Sequence, residues 1–395
     1  MNGSVPAQLF ASSPKPIENI ERTAYFTLMK GSQPEFTTDL ATILERVERI
    51  DPIRYSRTRN FIDGDVTYLS PYISRGVIST KYVLERTLAR GFEPRKIEKF
   101  IQELAWREFY QRTWQVKEEM IDRDLRHPQQ GVANSQIAAS IVSAKTGIEA
   151  VDSTIESFYE TGYIHNHIRM YIAAIACNIG RSHWLTPARW MYYHLMDGDW
   201  ASNAISWQWV AGTASNKKYF ANQENINRYC YTHQTDTFLD VDYAAFESMK
   251  VPPVLLETIS PALITELPET ARLDIDPGLP TLIYNSYNLD PHWNIDLLAN
   301  RILWLEPSHF LRYPVSSRVM DFIVGIARNI DGIQIFAGEF EELTRDHGIA
   351  DVRYKEHPLC KHYIGTEESR DWMFDVRGYY SSFFSFWKKC ERQLA

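Results

Sequence analysis

A short segment between residues 100 and 110 combines polar and aromatic side chains at helical spacing. It contains Glu103, Trp106, Arg107 and Tyr110, and these positions share one face if the segment is a helix. That face offers a carboxylate acceptor, a broad aromatic surface, a cationic donor and a phenol. Alone, the pattern is more typical of a packed helix with a Glu103–Arg107 surface pair, although the same face suits a planar heteroaromatic ligand.

A second segment, residues 197–209, is richer in groups that can do chemistry. Asp199 and Asn203 lie four residues apart, as do Asn203 and Trp207, so each pair shares a helix face. Two carboxylates, an amide and three tryptophans within 13 residues are hard to explain as core packing alone. The Asp-Gly-Asp start lacks the later ligands of a calcium-binding EF-hand loop. We therefore interpret this segment as functional.

Two further segments carry weaker signals. One places Asn166 and Met170 at helical spacing with Arg169 beside them, which is also typical of a solvated helix start. In the other, Thr67 and Ser70 precede a helical stretch, where hydroxyls and backbone N–H groups either cap the helix or hold a phosphate. Capping without a ligand is the more frequent outcome, so neither segment is decisive by itself.

The elements that must position these residues are predicted to be mainly helices. Apolar residues recur at helical spacing from about residue 37 to about residue 230, which predicts a helical domain over 36–235. Residues 1–35 are expected to form an extended leader. Six of the 19 prolines lie in the last part of 236–280, and this composition predicts an irregular connector.

The C-terminal part, residues 281–395, has a different pattern. An amphipathic helix is predicted at Ser317–Arg328, between short apolar runs that read as strands. These runs are Thr281–Tyr284, Ile302–Leu305 and Ile333–Ala337. Strand, helix and strand at this spacing predict a small parallel α/β domain of unknown role. A last helix is expected over 371–393. The fold class is therefore a mainly α domain followed by a small α/β, parallel-sheet domain.

Composition sets outer limits on the function. The 395 residues carry a net charge of −8, and aromatic residues make up 13%. The charge is uneven: 28 Lys and Arg stand against 29 Asp and Glu in residues 1–250, but 14 against 21 in residues 251–395. A neutral half can still present a local basic groove, whereas an acidic half is a poor phosphate binder.

Several classes of protein are excluded or disfavoured. The four cysteines form no CxxC pair, so we expect reduced thiols and neither a metal site nor a disulfide framework. His165 and His167 would point to different faces of a helix. No signal peptide or membrane span is recognisable, and the usual Gly-rich nucleotide motifs are missing. We therefore expect a cytoplasmic enzyme or receptor.

Taken together, the four segments resemble the FAD-binding helical domain of the photolyase/cryptochrome superfamily. The resemblance runs from about Tyr55 to Trp209, about 40% of the chain, with the motifs in the family's order and spacing. It is closest to the cyclobutane pyrimidine dimer type of DNA photolyase, because the (6-4) type has histidine where Asn166 and Met170 stand. FAD is the cofactor that this resemblance implies.

The resemblance also assigns the residues around FAD. Tyr55, Thr67, Leu69 and Ser70 match the positions that hold the phosphates and ribose. The remaining cofactor positions that it implies are Arg107, Arg169, Asp197, Asp199 and Asn203. Of these, Arg169 and Asp197 correspond to the pair flanking the isoalloxazine ring, Asp199 to the carboxylate at its edge, and Asn203 to the residue facing N5.

The other implied positions concern substrate and electron transfer. A pocket for a flipped dimer is implied at Glu103, Trp106, Asn166, Met170 and Trp209. Arg59 and Arg107 match contacts to the DNA backbone. Trp207 and Trp184 match the inner two members of an electron-transfer chain. Glu103 and Asn203 complete the catalytic set with these two tryptophans.

Three departures from the family pattern accompany the resemblance. The phosphate motif has Val66 and Tyr68 where the family usually has Thr and Arg. The stretch Asp122–Gly147 contains no tryptophan, so Trp114, Trp190 or a tyrosine would have to act as the third member of the chain. Finally, an α/β segment follows the helical domain, whereas the family's antenna domain precedes it.

The predicted function is FAD-dependent, light-driven repair of cyclobutane pyrimidine dimers in DNA. The alternative is a cryptochrome-like blue-light photoreceptor that uses the same FAD, and a third is a flavin-binding protein without a light function. The dimer pocket favours repair, because a sensor has no need of Glu103, Trp106, Met170 and Trp209 together.

Overall fold

Several helices of the first part begin at a polar side chain that caps them. The structure, a computed structural model, describes residues 35–270 and 272–394, apart from the side chains of Asp346 and His347. Asp39, Asp51, Ser79, Asp199 and Asn222 each accept a hydrogen bond from a backbone N–H in the first turn of the helix that follows. The predicted leader lies outside the described residues except for Glu35.

Eleven helices are described before residue 236. They are α1 (Leu40–Glu48), α2 (Pro52–Thr58), α3 (Ser70–Ser74), α4 (Thr80–Ala89), α5 (Glu98–Lys117), α6 (Ala139–Val142), α7 (Glu149–Thr161), α8 (Asn166–Ala174), α9 (Leu185–His194), α10 (Trp200–Ala211) and α11 (Gln223–Cys230). A π-helical turn, Ile175–Ile179, continues α8. Helix α10 packs against both α5 and α8, so the three segments with the strongest motifs meet around one helix.

The stretch predicted as a connector, 236–280, is mostly irregular. It contains two short 3₁₀ turns and the two-residue strand β2 (Thr258–Ile259). This strand pairs antiparallel with β1 (Ile137–Ala138), so the segment is tied back to the helices rather than free of them. The boundaries at 235 and 280 stay predictions.

The C-terminal part contains the predicted parallel sheet, and all three predicted strands are confirmed. The five strands are β3 (Pro280–Tyr284), β4 (Asn300–Leu305), β5 (Ile333–Ala337), β6 (Ala350–Lys355) and β7 (Thr366–Glu368). They pair in the order β5-β4-β3-β6-β7, and every pair is parallel. The helices between them are α12 (Pro307–Arg312), α13 (Ser317–Ala327) and α14 (Phe340–His347). The chain order reverses beside β3, which is where parallel sheets form ligand crevices.

The prediction of a last helix over 371–393 is wrong for its first half. Helix α15 covers only Phe383–Cys390, followed by a 3₁₀ turn, and residues 371–382 are irregular. Ser382 caps α15 and exchanges hydrogen bonds with Ser385. The capping serine therefore sets the start of the helix, where the apolar pattern alone had extended it further.

One hydrophobic core joins the helices to the sheet. Residues 36–395 form one compact unit. Leu282 and Tyr284 of β3 lie in the core that also contains the buried residues of α5, α8 and α10, whereas Ile283 points into a smaller core with Trp304. Alternate side chains of a strand face opposite sides of the sheet, so the larger core is built from one sheet face and the helices.

Candidate functional site

The Asp-Gly-Asp loop between α9 and α10 is hydrogen-bonded to residues at the C-terminal end of α3. The Ser74 hydroxyl donates to the backbone oxygen of Asp197 at 3.0 Å. The fully buried Arg75 guanidinium donates to the Met196 oxygen at 3.3 Å. Sequence reasoning missed both residues, because their partners lie about 120 residues further along the chain. They fix the backbone that carries the two aspartates.

Arg169 and Asp197 form a buried ion pair at the start of this loop. The guanidinium of Arg169 donates to both carboxylate oxygens, at 2.8 and 3.0 Å. It also donates to the Ile164 oxygen at 2.8 Å. The side chains are 21% and 6% exposed respectively, and the aromatic ring of Tyr163 lies 5.7 Å from the guanidinium. The pair presents a fixed donor and a fixed acceptor side by side.

Asp199 has a structural contact for each carboxylate oxygen. One oxygen accepts from the backbone N–H of Ser202 and caps α10. The other accepts from Gln111 at 2.7 Å and from the guanidinium of Arg107. Arg107 also donates to the Ile73 oxygen at 3.1 Å. Its guanidinium is thus placed against Asp199, and its predicted contact with DNA stays a prediction.

Asn203 is oriented by a single backbone contact one turn into α10. Its Nδ2 donates to the Ala188 oxygen at 2.9 Å, and the residue is buried. Since the amide nitrogen is engaged by α9, the side chain is held in one rotamer, with its oxygen as the remaining polar atom. The predicted role at flavin N5 stays a prediction.

The segment predicted to hold phosphates is irregular up to Leu69, and α3 begins at Ser70. The Thr67 hydroxyl accepts from the Leu69 N–H at 3.3 Å, and Tyr68 adopts a left-handed backbone, with φ of +52°. Arg46 of α1 donates to the Tyr68 oxygen at 3.4 Å. A cationic side chain therefore lies beside Thr67 and Ser70, although the sequence motif itself lacks the usual arginine.

Tyr55, Arg59 and Glu103 lie close together between α2 and α5. The Nε of Arg59 donates to Glu103 at 3.2 Å, and their side chains are 24% and 35% exposed. Burial, then the negative charge of Glu103, raises the pKa of the Tyr55 phenol, so this phenol stays protonated. The predicted base-binding carboxylate and the predicted DNA-binding arginine are thus one ion pair at the protein surface.

Trp106 projects from the same half-buried face of α5. Its ring stacks on Phe383 of α15, with ring centroids 3.8 Å apart and planes inclined by 10°. Phe109 meets the indole edge-on at 5.7 Å. Sequence pattern alone does not predict this contact, because it joins α5 to a helix whose start at Phe383 depends on the Ser382 cap.

The other residues predicted for the dimer pocket lie on α8 and α10. Asn166 is exposed and Met170 is half-buried on α8. Trp209, on α10, is 42% exposed, and its ring lies 5.7 Å from that of Tyr219. Because α10 packs against α5 and α8, the structure brings together the helices that carry all five predicted pocket residues.

The two tryptophans predicted for electron transfer are buried. Trp184 is fully buried, and its indole N–H donates to Asp124 at 2.7 Å. Trp207 lies in the core on α10, one turn after Asn203. Trp190 instead donates to the Tyr159 hydroxyl, at 3.1 Å. The identity of a third member stays open.

Two histidines at the start of α8, His165 at the N-cap and His167 in the first turn, are held in the neutral form. Burial first, and neighbouring positive charges second, lower the pKa of His165 and of His167 to about 4. His165 uses Nδ1 to accept the His167 N–H at 3.2 Å. In the part of the chain that the structure describes, His, Cys, Asp and Glu form no group that could hold a metal ion.

A cavity of about 410 Å³ lies beside the carboxyl ends of β3 and β6. Arg107 and Glu108 of α5 line it from one side, and Tyr287 and His357 line it from the sheet side. Among the predicted site residues, Arg107 alone borders this cavity. Over residues 35–270 and 272–394, no helix is both long and apolar enough to cross a bilayer.

Comparison with known proteins identifies the helical region. Residues 100–242 match the family described as "FAD binding domain of DNA photolyase". A deoxyribodipyrimidine photo-lyase of Thermus thermophilus is 30% identical over 165 residues, which are 40% of this chain and 38% of the relative. One from Synechococcus is 29% identical over 196 residues, 47% of this chain and 40% of the relative. The chain thus spans well under half of these relatives.

Solved structures with partial similarity include a cryptochrome and a photolyase. The Synechocystis cryptochrome aligns with a TM-score of 0.42 and 21% identity, over 50% of this chain and 46% of its own. The photolyase of Sulfolobus tokodaii, described as containing two FAD molecules, aligns with a TM-score of 0.42 and 21% identity, over 60% and 56%.

The family match covers α10 with its Asp-Gly-Asp loop, the Arg169 segment of α8 and most of α5. Residues 100–242 therefore match the FAD-binding domain of DNA photolyase, which supports the resemblance seen in the sequence. FAD is its cofactor.

Proposed function

We propose that this chain is a FAD-dependent enzyme that uses light to repair cyclobutane pyrimidine dimers in DNA. One observation carries the proposal. The helices that hold the predicted flavin residues also carry a half-exposed set of aromatic, apolar and acidic side chains suited to an extruded pyrimidine dimer. That set comprises Glu103, Trp106, Asn166, Met170 and Trp209.

The side chains present fit FAD as the cofactor. Arg169 and Asp197 offer a cationic donor beside a carboxylate acceptor, which matches the alternating donors and acceptors along a flavin ring edge. Thr67, Ser70 and Arg46 would hold the phosphates, since hydroxyls and a guanidinium favour an anion. When bound and reduced, FAD supplies the excited electron that splits the dimer.

The aromatic residues would position the lesion. A flipped base stacks on aromatic side chains and is read by hydrogen bonds to its edge. Trp106 offers only one face for this purpose, because Phe383 covers the other. Trp209, whose side chain is exposed, would supply the second aromatic surface, and Met170 would pack beside the dimer.

The ion pair at the mouth of this pocket would do two things. Glu103 would form a hydrogen bond with a base and stabilise charge after electron transfer. Arg59 holds Glu103 in place at 3.2 Å and is exposed enough to meet a DNA phosphate. A phosphate contact of this kind positions the duplex and carries no information about the lesion.

Repair and binding on matched oligonucleotides test the proposal. An oligonucleotide with a single thymine dimer should be restored in light and unchanged in darkness. Trp106→Ala should weaken binding of damaged DNA by about 5- to 150-fold, since stacking is worth about 1–3 kcal/mol per base. FAD content should stay unchanged, because Trp106 contacts Phe383 and Phe109 rather than the predicted flavin residues.

Arg59→Ala gives the complementary result. This substitution should weaken the binding of damaged and of undamaged DNA to the same extent. It should also reduce the salt dependence of binding, because a phosphate contact is nonspecific. Binding is measured by titration at two salt concentrations. A wild-type protein without any preference for damaged DNA in either buffer would overturn the proposal.

A cryptochrome-like photoreceptor with the same FAD is the second candidate. It is favoured by the way the C-terminal segment packs directly on α5, where Trp106 lies, since a segment at the pocket can relay a change in the flavin site. Failure of repair together with a light-dependent change in protease cleavage of residues 371–394 would support this alternative. The cytoplasmic location expected from the sequence stays a prediction in either case.

A further inference from the structure

The Trp106 ring belongs to an aromatic cluster built by two distant parts of the chain. Phe383 lies nearly parallel to it at 3.8 Å, and Phe383 itself is only 2% exposed. Trp106 remains half-buried. A planar ring has two faces, and the Phe383 ring lies against one face of the Trp106 indole. The face left for a ligand is therefore fixed by where Phe383 sits.

Phe383 is held rigidly by neighbours on α5 and α15. Phe109 meets its ring edge-on at 6.0 Å, and Trp387 lies parallel to it at 6.3 Å. The Trp387 indole N–H donates to Glu98 at the start of α5, at 3.3 Å. Helix α15 is thus attached to α5 at both ends of the cluster, so its first residue cannot shift without disturbing this packing.

We propose that Phe383 is a positioning residue for lesion recognition, acting through Trp106. The inference rests on the proposed function and extends it: the C-terminal segment supplies the back of the stacking platform. Without the Phe383 ring, the indole could tilt or move into the vacated space, and a base would lose its parallel partner. Ordering a loose aromatic side chain on binding costs free energy that a preorganised one avoids.

The neighbouring Phe384 provides a matched control. It lies on the same helix but is 61% exposed, and its one described ring contact is with Phe383. Phe383→Leu and Phe383→Met should each lower the affinity for damaged DNA by about 2- to 10-fold, which is the range expected for the loss of one aromatic pair. The affinity for undamaged DNA and the FAD content should be unaffected. Phe384→Leu should change neither affinity, and Phe383→Tyr, which keeps the ring, should restore wild-type discrimination.

The measurement is a titration of holoprotein with an oligonucleotide carrying one thymine dimer and its undamaged counterpart. Should Phe383→Leu not fold, Phe383→Met, which keeps the volume but not the ring, decides. Unchanged discrimination in the folded variant, or an equal loss for both oligonucleotides, overturns the inference while leaving the proposed function intact. A wild type that does not discriminate overturns the proposed function instead, and this inference with it.

Discussion

The buried carboxyl of Glu108 ties the C-terminal segment to α5, and its replacement by glutamine should be visible in the pH dependence of stability. One carboxylate oxygen accepts from the Thr80 hydroxyl at 3.1 Å and from the Met373 N–H. The other is buried and has no hydrogen-bond partner among the described residues. Burial raises the pKa of Glu108 to about 7, although these hydrogen bonds and Arg112 act in the opposite direction.

The sign and size of the effect follow from this pKa. The folded protein holds the proton more tightly than the unfolded chain, in which a glutamate titrates near 4.5. Between these values the unfolded state binds fewer protons, so the free energy of unfolding falls as pH rises. At about 1.4 kcal/mol for each tenfold change in proton affinity, the loss approaches about 3 kcal/mol above pH 7.

Denaturant unfolding at pH 5 and pH 8 measures this loss. The wild type should lose about 2–3 kcal/mol more than Glu108→Gln between the two pH values, since an amide does not titrate. Glu85→Gln, at an exposed position of α4, should show the same loss of unfolding free energy between the two pH values as the wild type. Parallel pH dependences for wild type and Glu108→Gln would refute the reasoning, because the carboxyl would then have an ordinary pKa.

Two further outcomes are expected. Arg46→Ala should lower FAD affinity several-fold, because its guanidinium lies at the Tyr68 oxygen beside the phosphate motif. Arg49→Ala, whose exposed side chain pairs with Glu45, should not, and equal affinities by equilibrium dialysis would remove Arg46 from the site. Trp207→Phe should slow light-driven flavin reduction while sparing dimer repair by chemically reduced protein, as followed by absorbance and by product analysis. A chemically reduced variant that cannot repair would contradict the assignment of Trp207 to electron transfer.

Local sequence pattern was enough for much of the fold. Helices with regular apolar spacing and polar caps, such as α10 after Asp199, could be placed from the sequence alone. The strands at β3, β4 and β5 were visible as short apolar runs. Strands β6 and β7 were not recognisable in this way, because Ala350–Lys355 and Thr366–Glu368 are rich in charged residues. In the strand order they lie together at one edge of the sheet.

In the candidate site, too, local spacing predicts some of the neighbouring residues, whereas others come together only through tertiary packing. Asp199 and Asn203 are one helical turn apart, so spacing alone placed them together. The contact of Arg46 with Tyr68 and that of Trp106 with Phe383 join residues whose separation in sequence follows no local period. Such pairs depend on how helices pack, and a single sequence holds no signal for that.

The contact between the Asp-Gly-Asp loop and the sheet has a consequence for biosynthesis. The Trp200 N–H donates to the Tyr287 hydroxyl at 3.2 Å. Gly76 has a φ of +68°, and a Cβ added there would lie 2.4 Å from the backbone oxygen of Tyr287, so the site has no room for a side chain. Chains grow from the amino terminus, so a ribosome must translate past β3 before the Trp200–Tyr287 contact can form. A nascent chain arrested before Tyr287 would therefore hold every predicted FAD residue and the contacts of Ser74 and Arg75 with the loop, and still lack the hydrogen bond at the start of α10.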